Sequence, residues 1–283
     1  MKYGMNLLLW TGDVTTIDVS ILEMLKGHGY DGVELPIFTA DEKKFAALGK
    51  RMKEIGLSGT AVTIRNLEDN PISPDPKIRA KGVELTKAAI DSTAAAGCTH
   101  LVGPFHSAIG HFSGAGPTED EWNWGIDSMR QSAEYAQKVG VILGIECLNR
   151  FETYLLNTHA EAARFARQVQ NPNCKIMYDT FHSNIEEKSP RAAIKAAADM
   201  IAHVHISEND RSTPGAGAVR WDENFDALHE IGYDGWMTVE AFGLALPEIS
   251  AATKIWRRMF DSEEQLARDA IAFIKKNVAK RWG

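Results

Sequence analysis

One pattern constrains this chain more than any other: a short, almost wholly apolar run followed by a longer amphipathic one, eight times over. The apolar runs are Tyr3–Trp10, Gly32–Phe38, Leu57–Ile64, His100–His106, Val141–Asn149, Lys175–His182, Ala202–Ser207 and Gly235–Phe242. Runs that are apolar on both faces suit parallel strands covered by helices. Helical periodicity fills the intervals at Ile21–His28, Glu42–Ile55, Pro76–Ala96, Glu119–Val139, Ala160–Val169, Pro190–Met200, Asn224–Ile231 and Glu263–Val278. Gly29, Gly56, Gly97 and Gly140 follow four of these, where a helix commonly stops. Strand, helix, strand with right-handed crossovers, eight times in 283 residues, predicts an α/β chain closed into a (β/α)8 TIM barrel. No linker or charge block divides it, so residues 1–283 read as a single domain. An open doubly wound sheet would more often carry a glycine-rich phosphate loop after its first strand, and Leu8-Leu9-Trp10-Thr11-Gly12-Asp13 matches neither such motif. The longest connection, Ser107–Thr118, is glycine-rich and reads as a mobile loop over one barrel mouth.

Composition narrows the function classes. Lys and Arg total 31 against 38 Asp and Glu, a net charge of −7. That sign repels phosphate backbones, so no nucleic-acid partner is expected. The three cysteines, Cys98, Cys147 and Cys174, are far apart and form no C-x-x-C pair, which fits buried free thiols in a reducing compartment. The apolar run Met5–Trp10 is too short for a signal-peptide core, and no 18-residue apolar stretch occurs. The expectation is a cytoplasmic protein with no membrane partner.

The active site of such a barrel lies at the C-terminal ends of its strands. Four successive runs end there in a carboxylate or an imidazole: Glu146, Asp179, His205 and Glu240, each about one strand–helix unit after the last. Neighbouring strands stand ~4.8 Å apart, so these side chains can converge on one point. Each alone reads equally well as a structural polar group. Four in register do not, because three carboxylates sharing a buried mouth would repel one another and take up protons. One divalent cation per chain resolves the conflict. An O₃N donor set favours Mn2+, with Co2+ or Mg2+ as the other candidates.

These segments resemble a known family. Ile145-Glu146-Cys-Leu-Asn-Arg-Phe-Glu152-Thr-Tyr-Leu-Leu-Asn157-Thr and Met177-Tyr-Asp179-Thr-Phe-His182-Ser-Asn-Ile-Glu186-Glu187 resemble the fifth- and sixth-strand signatures of the ketose 3-epimerases. These are the D-tagatose, D-allulose (psicose) and L-ribulose 3-epimerases of the xylose-isomerase-like barrels. His203-Val-His205-Ile-Ser-Glu-Asn-Asp-Arg211 and Val239-Glu240-Ala-Phe242 are similar to the seventh and eighth. The resemblance implies that Glu146, Asp179, His205 and Glu240 hold the metal. It implies that Glu146 and Glu240 also exchange the C3 proton of a free ketose across a cis-enediolate. Glu152, His182 and Arg211 would then hydrogen-bond the O1–O3 end of the ketose. A homodimer or homotetramer is the implied assembly. Aldose–ketose and hydroxypyruvate-type isomerases share the metal ligands, and the Glu152/His182/Arg211 set favours 3-epimerisation over them.

Further residues have readings of their own. Trp10, Phe242 and His106 are candidate pocket walls, and Phe151 is another. His203 reads as a core histidine behind the ligands, Glu34 as a residue that positions them or touches substrate, and Glu186-Glu187 as solvated charge. The chain departs from the family after its first strand, at Asn-Leu-Leu-Leu-Trp10, and after its fourth, at Gly103-Pro-Phe-His-Ser. In the family both regions contact the distal end of the sugar.

Overall fold

Each apolar run delivers a parallel strand. In the computed structural model, which describes residues 1–283, the strands are β1 (Lys2–Asn6), β2 (Gly32–Pro36), β3 (Ser58–Val62), β4 (His100–Gly103), β5 (Ile142–Glu146), β6 (Cys174–Asp179), β7 (Ile201–Ile206) and β8 (Trp236–Val239). Each pairs in parallel with the next, and β8 returns to β1, with Lys2 beside Trp236 and Met5 beside Val239. The (β/α)8 barrel is thereby closed. Helices α1 (Val19–His28), α2 (Glu42–Ile55), α3 (Pro76–Ala95), α4 (Glu119–Val139), α5 (His159–Val169), α6 (Thr180–Glu186), α7 (Pro190–Ala196), α8 (Trp221–Glu230), α9 (Pro247–Thr253) and α10 (Glu263–Trp282) complete the chain.

Local chemistry accounts for the long helices. Thr118 and Thr158 cap α4 and α5, each in a reciprocal box with a glutamate three residues on, Glu121 and Glu161. Gly29 and Gly140 end α1 and α4 in the left-handed region, at φ 92° and 77°, which a side chain would resist. Strand residues alternate between two cores. Met5, Val33, Ile145, Ile176, Val204 and Val239 belong to the main core that includes the helices. Val62, Val102 and Met177 belong to a separate apolar cluster with Leu8 and Phe242. Trp236 plugs the N-terminal end of the barrel. A Cβ on Gly32 would stand 2.6 Å from the edge of its indole, so that position accepts no side chain.

The strands are shorter than the apolar runs, because polar side chains turn the chain at their ends. Asn6 Oδ1 accepts from Leu8 N at 2.9 Å and starts a 3-10 turn over Leu7–Leu9. Asp179 Oδ1 accepts from Phe181 N at 2.6 Å and His182 N at 3.2 Å, which starts α6 where the sequence pattern continues the strand to His182. Helix α9 has no counterpart in the sequence reading, and α7 stops at Ala196 rather than Met200. The Ser107–Thr118 connection begins tied down: Ile109 N donates to Arg65 O at 3.1 Å and Gly110 N to Glu152 O at 2.8 Å. No helix is long and apolar enough to cross a membrane.

Candidate active site

The barrel's C-terminal end gathers the four ligand candidates. Glu146 and Asp179 end β5 and β6, His205 lies one residue before the end of β7, and Glu240 follows β8 directly. All four are buried, and each offers a donor atom within 4.8 Å of the others. His205 Nδ1 stands 3.5 Å from Asp179 Oδ2 and 3.5 Å from Glu240 Oε1. It is buried and has no hydrogen-bond partner. An orphaned imidazole nitrogen facing carboxylates across such gaps fits a cation with bonds of about 2.0–2.2 Å. Burial, then the adjacent Glu240 and Asp179 carboxylates, hold the Glu146 pKa well above the usual carboxylate range. Asp179 is also desolvated, but the Arg211 guanidinium beside it keeps its pKa below that range.

A layer beneath fixes the ligands. Glu34, fully buried on β2, accepts from His205 Nε2 at 2.7 Å, Asn6 Nδ2 at 3.0 Å and Thr60 Oγ1 at 2.8 Å. His203 Nε2 lies 3.0 Å from its other oxygen, near enough for an ion pair but not aligned as a hydrogen bond. Burial opposes ionisation of Glu34, yet His205 and His203 hold its pKa below the usual range. Because Nε2 of His205 is spent on Glu34, Nδ1 is the nitrogen left for a ligand. Glu34, His203 and His205 also bring donor atoms within 4.8 Å of one another, but hydrogen bonding within the barrel already uses Glu34 and His205 Nε2.

Above the ligands, Arg211 closes one side. Its Nη1 pairs with Glu240 and with Asp179 Oδ2 at 3.3 Å, and Ser207 Oγ accepts from it at 2.9 Å. The guanidinium lies over the Phe181 ring, 3.7 Å from its centroid, and the backbone of Arg211 is left-handed at φ 64°. A non-glycine residue held there is a feature that clusters at functional sites. His182 is buried, and burial pushes its pKa down to about 4. Its Nδ1 meets Asn149 N at 3.0 Å, and its Nε2 meets Arg211 Nη2 at 3.0 Å and lies 3.5 Å from Glu146 Oε1. Asn149 Nδ2 donates to Glu152 Oε1 at 2.8 Å. Glu146, Glu152, His182, Arg211 and Glu240 share the wall of one cavity of about 180 Å³.

Comparison with known proteins agrees with this geometry. A family model described as Xylose isomerase-like TIM barrel matches residues 22–277. The chain is 32% identical over 279 residues to an L-ribulose 3-epimerase of Methylomonas sp. (strain DH-1), covering 98% of this chain and 97% of that protein. It belongs to the ketose 3-epimerases. A ketose 3-epimerase of Arthrobacter globiformis is likewise 32% identical, over 98% of this chain and 97% of its own. A crystal structure of a D-allulose 3-epimerase from Methylomonas sp. in complex with D-allulose superposes with a TM-score of 0.90 at 30% identity, over 98% and 97% of the two chains. As a ketose 3-epimerase the chain is an isomerase-class enzyme, and its O₃N cluster is a candidate site for a divalent metal.

The epimerase fold brings together all seven residues read as ligands or substrate contacts, and Phe242 joins them at the cavity. Three expected walls do not line the cavity. His106 is fully buried behind the site, its Nε2 2.8 Å from the Glu146 carbonyl, because the chain leaves β4 at Gly103. Trp10 packs against the main core, because the turn after β1 presents Leu8 to the cavity instead. Phe151, 73% exposed, lies on the surface. Glu186 and Glu187 are not solvated charge: Glu186 takes the Arg150 guanidinium at 2.8 Å, and Glu187 accepts from His159 N at 2.9 Å. Sequence reasoning missed Asn6, whose amide also lies 3.5 Å from Glu240 Oε1. Its signal was a lone amide at the inward position where an apolar strand ends.

Proposed function

We propose that this epimerase inverts C3 of a free ketose with Glu146 and Glu240 as its two acid/base groups. The observation that carries the reading is the pair of glutamates, from strands three apart around the barrel, in one buried cluster that also forms the cavity wall. Glu146, Asp179, His205 and Glu240 would hold one divalent ion, with Mn2+ the best match to three carboxylates and an imidazole, and Co2+ or Mg2+ next. When bound, such an ion polarises the C2 carbonyl and stabilises the negative charge that develops beside it. A C3 proton next to a ketone is then weakly acidic. One glutamate removes it and the other returns a proton to the opposite face, since inversion needs a group on each side. Arg211 and His182 grip the O1–O3 end, Arg211 by donating from its guanidinium and His182 through Nε2. Glu152, held by Asn149, accepts from a substrate hydroxyl.

The reaction is tested in D₂O with Mn2+ and D-fructose, D-tagatose or L-ribulose. The product ketose is expected to carry deuterium at C3. Label at C1 or C2 with none at C3, together with an aldose product, would replace the epimerase reading with an aldose–ketose isomerase. Glu→Gln at 146 or 240 keeps an oxygen ligand but no base, and turnover is expected to fall ~10²–10⁴-fold.

A further inference from the structure

Glu208 is a fully buried carboxylate with no part in the proposed reaction. It is the second residue after β7 and does not line the cavity. Burying such a group costs free energy unless donors surround it. Four neutral donors do so here. Oε1 accepts from Asn209 N and Val219 N, both at 3.0 Å, and Oε2 accepts from Gly215 N at 2.8 Å and Trp221 Nε1 at 3.0 Å. The donors come from the start, the middle and the end of the connection between β7 and α8, which has no helix or strand of its own. That connection is packed down on the carboxylate, since a Cβ on Gly217 would stand 2.7 Å from Glu208 Cδ. Arg211 lies inside the closed loop. Its N donates to Glu208 O at 3.0 Å, and its O accepts from Phe242 N at 2.9 Å. The left-handed backbone of Arg211 persists only where its surroundings impose it. The loop that imposes it is gathered on one carboxylate.

We infer that Glu208 is the positioning residue for Arg211: by tying both ends of the β7–α8 connection together it sets where the guanidinium meets the ketose, without touching the ketose itself. The inference rests on the 3-epimerase reading and deepens it. A misplacement of about 1 Å in a group that holds substrate can cost ~10²-fold in rate. Glutamine at 208 has the size of glutamate, but whichever way its amide turns, its NH2 faces two N–H donors. The loop then opens rather than leave them buried and unpaired. The candidate metal ligands stand on β5, β6, β7 and directly after β8, outside that loop.

The test is a double-mutant cycle of wild type, Glu208→Gln, Arg211→Ala and the two together. Each is assayed with Mn2+ in D₂O on whichever of D-fructose, D-tagatose and L-ribulose wild type turns over fastest, reading C3 deuterium and kcat/KM. Glu208→Gln is expected to lower kcat/KM about 10–100-fold, with its Mn2+ Kd by calorimetry close to wild type. In the Arg211→Ala background the same change is expected to cost less than about threefold, because residues that act as one unit are not additive. Arg211→Lys replaces Arg211→Ala if turnover of the latter falls below detection. Should Glu208→Gln not fold, Trp221→Phe withdraws one donor from Oε2 and keeps an aromatic ring beside Phe225 and Phe273. It goes through the same cycle, with a several-fold loss expected in the wild-type background alone. An equal loss in both backgrounds is what a merely structural carboxylate gives, and it overturns the inference while the reaction stands. Wild-type kcat/KM in the position-208 variant does the same. No C3 deuterium from wild type on any of the three ketoses overturns the reaction reading and this inference with it.

Discussion

Replacing Glu34 with glutamine isolates what the layer beneath the ligands contributes. The carboxylate receives His205 Nε2 at 2.7 Å and Asn6 Nδ2 at 3.0 Å on one oxygen, and Thr60 Oγ1 at 2.8 Å on the other. A glutamine oxygen in the first place keeps both donors. Its amide then faces the Thr60 hydroxyl, which can rotate to accept, and His203. The hydrogen-bond count survives and only the charge is lost. A bond to a charged acceptor contributes ~1.5–3 kcal/mol and one to a neutral acceptor ~0.5–1.5. The difference of ~1–1.5 kcal/mol falls on His205, whose pKa burial would lower but Glu34, then Glu240, hold well above its usual value. At 1.36 kcal/mol per decade that is about a tenfold weaker metal site, at the low end of the ~10–100-fold range for such partners. Mn2+ Kd measured by calorimetric titration is expected to rise by that factor in Glu34→Gln. Turnover should recover once metal is saturating. Glu34→Ala, which strands His205, Asn6 and Thr60 together, is expected to cost ~3–5 kcal/mol of fold stability instead. An unchanged metal Kd in the glutamine variant would refute the claim that Glu34 sets the donor strength of His205.

Two further outcomes follow from the same cluster. Arg211→Ala is expected to raise KM, lower kcat or both, with metal content near wild type, and unchanged kinetics on every ketose that wild type turns over would remove Arg211 from substrate binding. Since the metal-free Glu146 pKa is raised, that group keeps its proton above the usual carboxylate range, and metal binding must displace it. Titrations below the raised pKa, in buffers of different ionisation enthalpy, should therefore show proton release, with metal affinity falling as pH falls; metal uptake without proton release would contradict the assignment.

Much of this was legible before any coordinates. Eight apolar runs with helices between them leave few ways to bury both faces of every strand, and a closed parallel barrel is the simplest. The barrel in turn makes strand-end position equivalent to proximity, so Glu146, Asp179, His205 and Glu240 could be grouped from residue types alone. The illegible parts turn on single polar side chains near chain reversals. Asp179 both caps α6 with one oxygen and faces the site with the other, and hydropathy sees neither act. The turn started by Asn6 rotates Leu8, not Trp10, into the cavity. Glu186 and Glu187 look like solvent-facing charge until Arg150 and the start of α5 are placed beside them, and those contacts are long-range.

The four candidate ligands stand in one stretch of sequence, from Glu146 to Glu240, within the second half of the barrel. Most of the apolar end of the cavity comes from the first half, through Leu8, Val62, Ile64, Pro104 and Ile109. The proposed metal and acid/base groups and most of the apolar cavity wall thus come from different segments of the chain. A single recombination near Val141, between α4 and β5, would exchange one without disturbing the other. The incoming half would need to preserve Asn6 and Glu34, which reach the Glu240 and His205 side chains across that divide, and His106, whose ring meets the Glu146 carbonyl.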